Sequence, residues 1–175
     1  MKIKYFFAAL IIAALAGCSD PDNNGFTQEQ MLVGTWKLDA WYSDTPQDID
    51  NDGNASTDLL SQWNGCYKYS TVQFSADMSS TVTYIGPESN PKCPPGLLPN
   101  DNYNGLPWYI DNSYAEYPNG EIIFTGSDYL ESYEIVRLTD TDLIIKGAGL
   151  LVNAEPDNSY YTDGYLRFTR EGLPR

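Results

Sequence analysis

The sequence contains no histidine, and this absence excludes two large groups of sites. Serine and cysteine hydrolases with a histidine base need an imidazole beside the nucleophile, and His-ligated zinc sites need it as a ligand. Basic residues are also scarce, with 10 Lys and Arg against 24 Asp and Glu and a formal net charge of −14. Such a chain repels phosphate backbones and anionic lipid head groups, so we expect no nucleic-acid partner.

A long apolar run is also missing. The strongest one, from Tyr5 to Ala16, is shorter than the roughly 20 residues that a membrane-spanning helix requires. Lys2 and Lys4 precede this run and small residues follow it, which predicts a secretory signal peptide over residues 1–17. The stretch from Leu15 to Cys18, Leu-Ala-Gly-Cys, resembles the lipobox of bacterial lipoproteins. That resemblance implies cleavage before Cys18 and acylation of its thiol and amino group, with palmitate or similar chains.

The predicted anchor fixes where the protein is expected to reside. Its acyl chains hold it to the membrane, since the acidic chain offers no basic patch for lipid. Ser19 after the cysteine is compatible with the outer membrane, and Asp20 and Asp22 resemble acidic surface-export signals. We therefore expect an outer-membrane lipoprotein, either periplasmic or surface-exposed. Residues 18–30 are polar and read as a flexible tether, which leaves 31–172 as a single domain.

Cysteine is rare, with three in the chain. If Cys18 carries lipid, Cys66 and Cys93 remain in a compartment where disulfides persist. We expect these two to be bonded, which would stabilise the fold by about 3 kcal/mol. The alternative is a reactive thiol, but it lacks a histidine partner.

Alternation of apolar and polar residues predicts eight strands. The first is Thr35 to Tyr42, in which Trp36, Leu38, Ala40 and Tyr42 share one face. The others are predicted at 67–76, 81–85, 108–111, 121–125, 129–138, 143–148 and 161–170. One helical turn is expected at 28–33, another short helix at 57–63, and a long loop at 86–107. Sequential strands with short links favour an all-β fold, an eight-stranded antiparallel up-and-down barrel with a short N-terminal helical turn.

The start of the first strand, Leu-Val-Gly-Thr-Trp-Lys-Leu over 32–38, resembles the lipocalin signature. The resemblance implies that Gly34 and Trp36 close one end of the barrel and that an arginine of the last strand covers the indole. Arg170 is the first candidate, through a cation–π contact worth about 0.5–2 kcal/mol, and Arg167 is the second. The alternative is that Trp36 is a core residue of an unrelated sandwich.

A wider set of features is similar to the small lipocalin-like bacterial lipoproteins: the lipobox, the Gly-x-Trp, an Asp-rich insert, two later cysteines and the strand from Tyr133 to Thr139. This implies a monomeric, non-enzymatic barrel that binds a small apolar or amphipathic ligand. The alternative is an interaction module with a solid barrel, because eight strands leave room for side chains or one small ligand. The residues predicted to face inward, as lining or core, are Leu38, Val72, Phe74, Ile123, Ile145 and Phe168. No motif singles out a catalytic pair of carboxylates.

One segment looks like a metal loop. Oxygen-bearing side chains recur around Gly53 with the alternation that Ca²⁺ loops use, which makes calcium the expected cofactor, if there is one. The closing bidentate Glu is absent, because Leu59 occupies that position. The alternative is a solvated turn in which an Asp or Ser caps the next helix. The predicted ligands are Asp48, Asp50, Asp52, Asn54, Ser56 and Asp58.

Aromatic residues crowd the region after Cys93. Exposed rings beside Asn and Asp side chains can stack on sugars, which makes a glycan a candidate partner. The alternative is that the rings are ordinary half-buried strand residues. The residues concerned are Tyr103, Trp108, Tyr109, Tyr114 and Tyr117.

Overall fold

The computed structural model describes residues 25–50, 52–62, 67–84, 101–126, 129–147 and 164–172. Within these ranges the chain forms nine strands, two short helices and one 3-10 turn. In chain order they are α1 (Gln28–Leu32), β1 (Gly34–Gln47), β2 (Ser56–Asp58), α2 (Leu59–Gln62), the 3-10 turn Tyr67–Tyr69, β3 (Thr71–Phe74), β4 (Ser79–Tyr84), β5 (Asp101–Asp111), β6 (Glu121–Gly126), β7 (Tyr129–Leu138), β8 (Asp142–Gly147) and β9 (Gly164–Arg170).

Eight of these strands close into a barrel. From β3 to β9 each strand pairs antiparallel with the next in sequence, and β1 pairs with both β3 and β9. The seam between first and last strand runs from Trp36 opposite Arg170 to Tyr42 opposite Tyr165. The short β2 lies outside this ring and pairs with the far half of β1. The predicted eight-stranded antiparallel up-and-down barrel is confirmed.

A β-bulge in β1 changes which residues face the interior. The pairing with β9 shifts register between Leu38 and Ala40, so the alternation restarts one residue later. Trp36, Leu38 and Trp41 are therefore buried, whereas Ala40 and Tyr42 are only partly buried. The prediction that Ala40 and Tyr42 share the face of Trp36 is wrong for this reason.

Strand boundaries also differ from the sequence-based expectation. The first strand, predicted to end at Tyr42, continues to Gln47, and two other segments differ more. The segment 101–107, predicted as loop, forms the first part of β5 and pairs with β4, with Gly105 as the extra residue at a register shift. The predicted strand 67–76 instead begins as a 3-10 turn and becomes extended at Thr71. In both places the local sequence shows no clear alternation, because 101–107 contains Gly and Asn and 67–69 is Tyr-Lys-Tyr. The strand and the turn there are determined by tertiary contacts.

Helix α1 lies at the closed end of the barrel. The side chain of Thr27 accepts the backbone N–H of Gln30, and the Gln30 side chain accepts the backbone N–H of Thr27, which forms a capping box. The helix begins inside the segment 18–30 that was predicted as tether, and it buries Leu32 completely. Among the described residues, no helix is long and apolar enough to cross a bilayer.

The core is the inner face of the barrel together with side chains from the connection between β1 and β3. That connection contributes Ile49, Leu59 and Tyr67 to the same cluster as the barrel lining. The Gln62 side chain ties the connection together, because it accepts the N–H of Ile49 and donates to the carbonyl of Gln47. The first connection is thus part of the packed structure.

Candidate functional site

One end of the barrel is sealed by Trp36 and Arg170. The guanidinium carbon lies 4.4 Å from the centre of the Trp36 ring, and Nη1 donates to the carbonyl of Val33 at 2.7 Å. Nη2 donates to the carbonyl of Met31, and the Trp36 indole N–H donates to the carbonyl of Leu32 at 2.7 Å. Burial lowers the pKa of Arg170 from its ordinary value. The seal therefore joins the last strand to the segment that precedes the first.

Gly34 makes this seal possible. A Cβ on Gly34 would lie 2.8 Å from Nη1 of Arg170, and its φ of +144° is one that other residues rarely adopt. Arg167, the second candidate for the contact, faces outward instead. Its Nε donates to Asp39 at 2.8 Å, and this hydrogen bond raises the pKa of Arg167. The structure thus brings Gly34, Trp36 and Arg170 together and places Arg167 elsewhere.

Five of the six residues predicted to face inward do so, and one does not. Ile123 pairs with Tyr109 and Ser132 on the outer face of the wall, although it is well buried. Its neighbours Ile122 and Phe124 carry the inward side chains of β6. Four consecutive buried residues in β6 removed the alternation that distinguishes the two faces. The five in the core cluster are Leu38, Val72, Phe74, Ile145 and Phe168.

Aromatic rings fill the interior next to the seal. Phe74 lies 5.0 Å from Trp108 and 5.8 Å from Phe124, centre to centre, and Phe124 lies 6.0 Å from Tyr133. Each of these four side chains is at most 2% exposed. An open cup would leave its lining accessible to water, so this half of the barrel is solid. Trp108, proposed above as a sugar-stacking ring, is instead a core residue.

Toward the other end, which we call the mouth, the lining changes character. Glu131 shares the inner face of β7 with Tyr133 and stands opposite Phe124, and the Tyr133 hydroxyl donates to its carboxylate at 2.7 Å. Glu131 is partly exposed, whereas Tyr133 is fully buried. A carboxylate and a phenol therefore adjoin the mouth in an otherwise apolar lining.

Two paired glycines make room for rings at the same level. Gly147 of β8 stands opposite Gly164 of β9. A Cβ on Gly147 would lie 2.9 Å from the Tyr133 ring, and one on Gly164 would lie 2.9 Å from the carbonyl oxygen of Tyr42 and 3.0 Å from Nε1 of Trp41. Trp41 in turn packs edge-on against Tyr67 at 6.0 Å. We call Trp41, Glu131, Tyr133, Gly147 and Gly164 the mouth layer.

The mouth layer was not predicted from the sequence. Alternation continued past the bulge in β1 would place Trp41 on the outer face, and Gly147 and Gly164 fall inside predicted strands with no feature that marks them. One signal was available, since Glu131, Tyr133 and Ile135 alternate along a strand whose other inward residues are apolar. A charged residue at an inward position marks a lining that meets solvent or a polar ligand.

The acidic loop brings together three of its six predicted ligands. Asp48, Asp50 and Asp52 each present a carboxylate oxygen within 4.8 Å of the others. The Asp48 carboxylate also accepts the N–H groups of Asp52 at 3.1 Å and Gly53 at 2.9 Å. This turn holds its carboxylates on one side, which suits a hard cation.

The other three predicted ligands take part in local hydrogen bonds and are not members of this carboxylate cluster. Asp58 accepts the N–H of Ser61 at 3.1 Å and so caps α2, while the Ser56 hydroxyl accepts the N–H of Asp58 at 3.1 Å. Asn54 donates its N–H to Asp52 at 2.8 Å. The capping alternative therefore describes Asp58, and the carboxylate cluster is smaller than the predicted set.

The remaining candidate residues fall into two groups. Tyr109 and Tyr114 are 44% and 51% exposed, and Tyr114 packs edge-on against Tyr117 at 6.1 Å. These rings lie on the surface, as a glycan site requires. The side chain of Tyr103 lies outside the described residues, and so do Cys18, Cys66 and Cys93.

A closed eight-stranded barrel with an indole at its sealed end and an apolar lining defines the class of the lipocalin-like proteins. The family model described as "Lipocalin-like domain" matches residues 32–145 of this chain, which cover most of the barrel. The chain belongs to this family. A search of the curated proteins and a search of the solved structures each returned no match.

Proposed function

We propose that this protein is a lipid-anchored, non-enzymatic protein of the bacterial cell envelope that binds a small apolar or amphipathic molecule at the mouth of its barrel. The observation that carries the proposal is the inward-facing Glu131–Tyr133 pair above a solid apolar floor. A ligand enters from one end only, because Trp36 and Arg170 seal the other. Its polar part meets Glu131, the partly exposed side chain of the mouth layer.

The absence of histidine and of any catalytic motif supports a binding role. The solid floor limits the depth of the site, so we expect a small ligand that occupies the mouth. Glu131 favours ligands that carry a hydroxyl, an amine or another hydrogen-bond donor, since an ionised carboxylate only accepts.

Native mass spectrometry of the full protein, extracted from membranes in mild detergent, tests this function. We expect a noncovalent small-molecule adduct, and quenching of tryptophan fluorescence when a short-chain amine such as hexylamine is titrated into the protein from which that adduct has been removed. Glu131→Gln should weaken amine binding by roughly five- to tenfold, the range for loss of one charge-assisted contact. Glu134→Gln is the matched control, because Glu134 lies on the outer face of the same strand. No adduct and no amine binding would contradict the proposal.

The proposed anchor at Cys18 has its own test. Cells grown with an alkyne-bearing palmitate analogue should label the wild-type protein, and Cys18→Ser should abolish labelling and leave the uncleaved precursor. Labelling that persists in Cys18→Ser would contradict the anchor. Protease treatment of intact cells then distinguishes a surface position from a periplasmic one.

A second candidate function is an interaction module with a solid barrel and a calcium-ordered loop. The filled interior beside the seal favours it, together with the carboxylates of Asp48, Asp50 and Asp52. Calcium would order the connection that buries Ile49 and so steady the mouth. Calorimetry should show calcium uptake that Asp50→Ala removes and Asp77→Ala, on a distant turn, does not; no heat in the wild type would remove calcium from the account.

A further inference from the structure

Two lysines converge on one tyrosine ring on the outer wall of the barrel. The Nζ atoms of Lys37 and Lys68 lie 5.0 Å and 5.4 Å from the centre of the Tyr69 ring, which is 39% exposed. Lys37 is on the outward face of β1, and Lys68 and Tyr69 belong to the 3-10 turn before β3. The two ammonium groups carry like charges and lie beside the same ring, so positive charge is concentrated at this point of the surface.

Across the described ranges, neither Lys37 nor Lys68 forms an ion pair. Asp39 is near, but its carboxylate is bound by Arg167. The chain has 24 acidic residues against 10 basic ones, so a carboxylate partner was abundantly available. Two unpaired ammonium groups on so acidic a protein leave their charge available to an external anion.

The two lysines line a groove of about 290 Å³. Thr169 of β9 stands directly opposite Lys37 in the seam and adds a hydroxyl to the groove, and Tyr69 adds an exposed apolar surface. This volume is at the low end of small-molecule sites, which fits one ring-sized ligand. Leu38 and Asp39 complete the lining, and the Asp39 carboxylate is held by Arg167. The groove therefore offers positive charge, a hydroxyl group and a ring face within a space for one small molecule.

We propose that this groove binds a saccharide residue that carries a single carboxylate or sulfate group. The anion lies between the ammonium groups of Lys37 and Lys68, the C–H face of the sugar packs on Tyr69, and a sugar hydroxyl hydrogen-bonds Thr169. A long polyanion would also meet the acidic surface around the groove, which repels it. A short ligand is affected mainly by charges within about 8 Å, since charges farther away are screened at physiological salt. A short ligand is therefore favoured. This site is separate from the mouth and independent of its ligand.

The test is an NMR titration of the full mature chain with four probes: glucuronate, N-acetylglucosamine 6-sulfate, methyl glucoside and inorganic sulfate. We expect both acidic sugars to shift the amide signals of Lys37, Lys68, Tyr69 and Thr169, and the neutral sugar to leave them unchanged. Comparison of the two acids identifies whether carboxylate or sulfate is preferred. Raising the salt concentration should weaken binding of both.

Variants locate the site. The double variant Lys37→Gln, Lys68→Gln should bind the acidic sugars about tenfold more weakly, the sum expected for two exposed charge contacts. Lys146→Gln is the matched control, because Lys146 also lies over a tyrosine ring, 5.6 Å from the centre of Tyr165, but without a second lysine. Equal binding of methyl glucoside, shifts at other residues, inorganic sulfate that binds as tightly as the sugars, or an equal loss in Lys146→Gln would each overturn the proposal.

Discussion

Arg170 covers the ring of Trp36 and at the same time donates to the carbonyls of Met31 and Val33, so one side chain closes the barrel end in two ways. Arg170→Ala should lower the free energy of unfolding by about 2–3 kcal/mol, from the lost cation–π contact and two carbonyls left without donors. Urea denaturation measures this. Arg137→Ala, an exposed arginine on β7, should change stability by less than about 0.5 kcal/mol. Equal effects of the two changes would contradict the assigned contact.

The aromatic floor gives a second prediction. Phe74→Ala should lower the free energy of unfolding by about 3–5 kcal/mol, because Phe74 contacts both Trp108 and Phe124 in a solid interior. The cavity should then bind benzene or xenon, as apolar cavities do. Leu130→Ala, whose side chain is 72% exposed, serves as the control. A small loss in Phe74→Ala would mean that the floor is open rather than packed.

The mouth glycines give a third prediction. Gly147→Ala should destabilise the protein by about 1–3 kcal/mol, because its Cβ would meet the Tyr133 ring at 2.9 Å. Adding Tyr133→Leu should recover part of this loss, since the smaller side chain relieves the collision. Thermal unfolding of the single and double variants measures the coupling. Strictly additive losses would show that the ring and the glycine do not touch.

The hairpin between β3 and β4 predicts a pH effect. Hydrogen bonds from the Ser79 hydroxyl and backbone N–H lower the pKa of Asp77 below its ordinary value. A carboxyl group with a lowered folded-state pKa adds stability above its unfolded pKa and loses it as pH falls through the folded one. Asp77→Asn should therefore be less stable than wild type at neutral pH, and the difference should vanish in strong acid.

Glu116→Gln, a change at an exposed acid in the loop before β6, is the control for this titration. It should leave the free energy of unfolding at neutral pH within about 0.5 kcal/mol of the wild-type value. A difference between wild type and Asp77→Asn that persists below the folded pKa would contradict the role of the ionised carboxylate.

Local pattern predicted much of the barrel, because most strands bury one face and so alternate in sequence. Tyr129–Leu138 was predicted with its observed bounds, and the Trp36–Arg170 pair followed from the resemblance and from parity along β9. The errors about which way a side chain faces share one cause. Where a bulge shifts the phase after Leu38, or where β6 is buried on both faces at Ile123, alternation carries no information about direction.

The role of the two glycines in the mouth layer could not be predicted from the sequence, for a related reason. Gly147 and Gly164 matter because of rings that approach them from Tyr133 and Trp41, and such contacts depend on register between distant strands. The carboxylate loop shows the opposite case. Asp48, Asp50 and Asp52 are close in sequence, and their carboxylates lie together as predicted. Asp58 caps α2 and is not part of this cluster.

Closure of the barrel between β1 and β9 underlies every site described above, and nuclear Overhauser effects across that seam test it most directly. The account predicts strong cross-strand contacts between the backbones of Leu38 and Phe168 and of Trp41 and Leu166, with the register shift between them. A spectrum in which β1 contacts only β3, with no contact to β9, would show an open sheet, and neither the seal nor a single mouth would then exist.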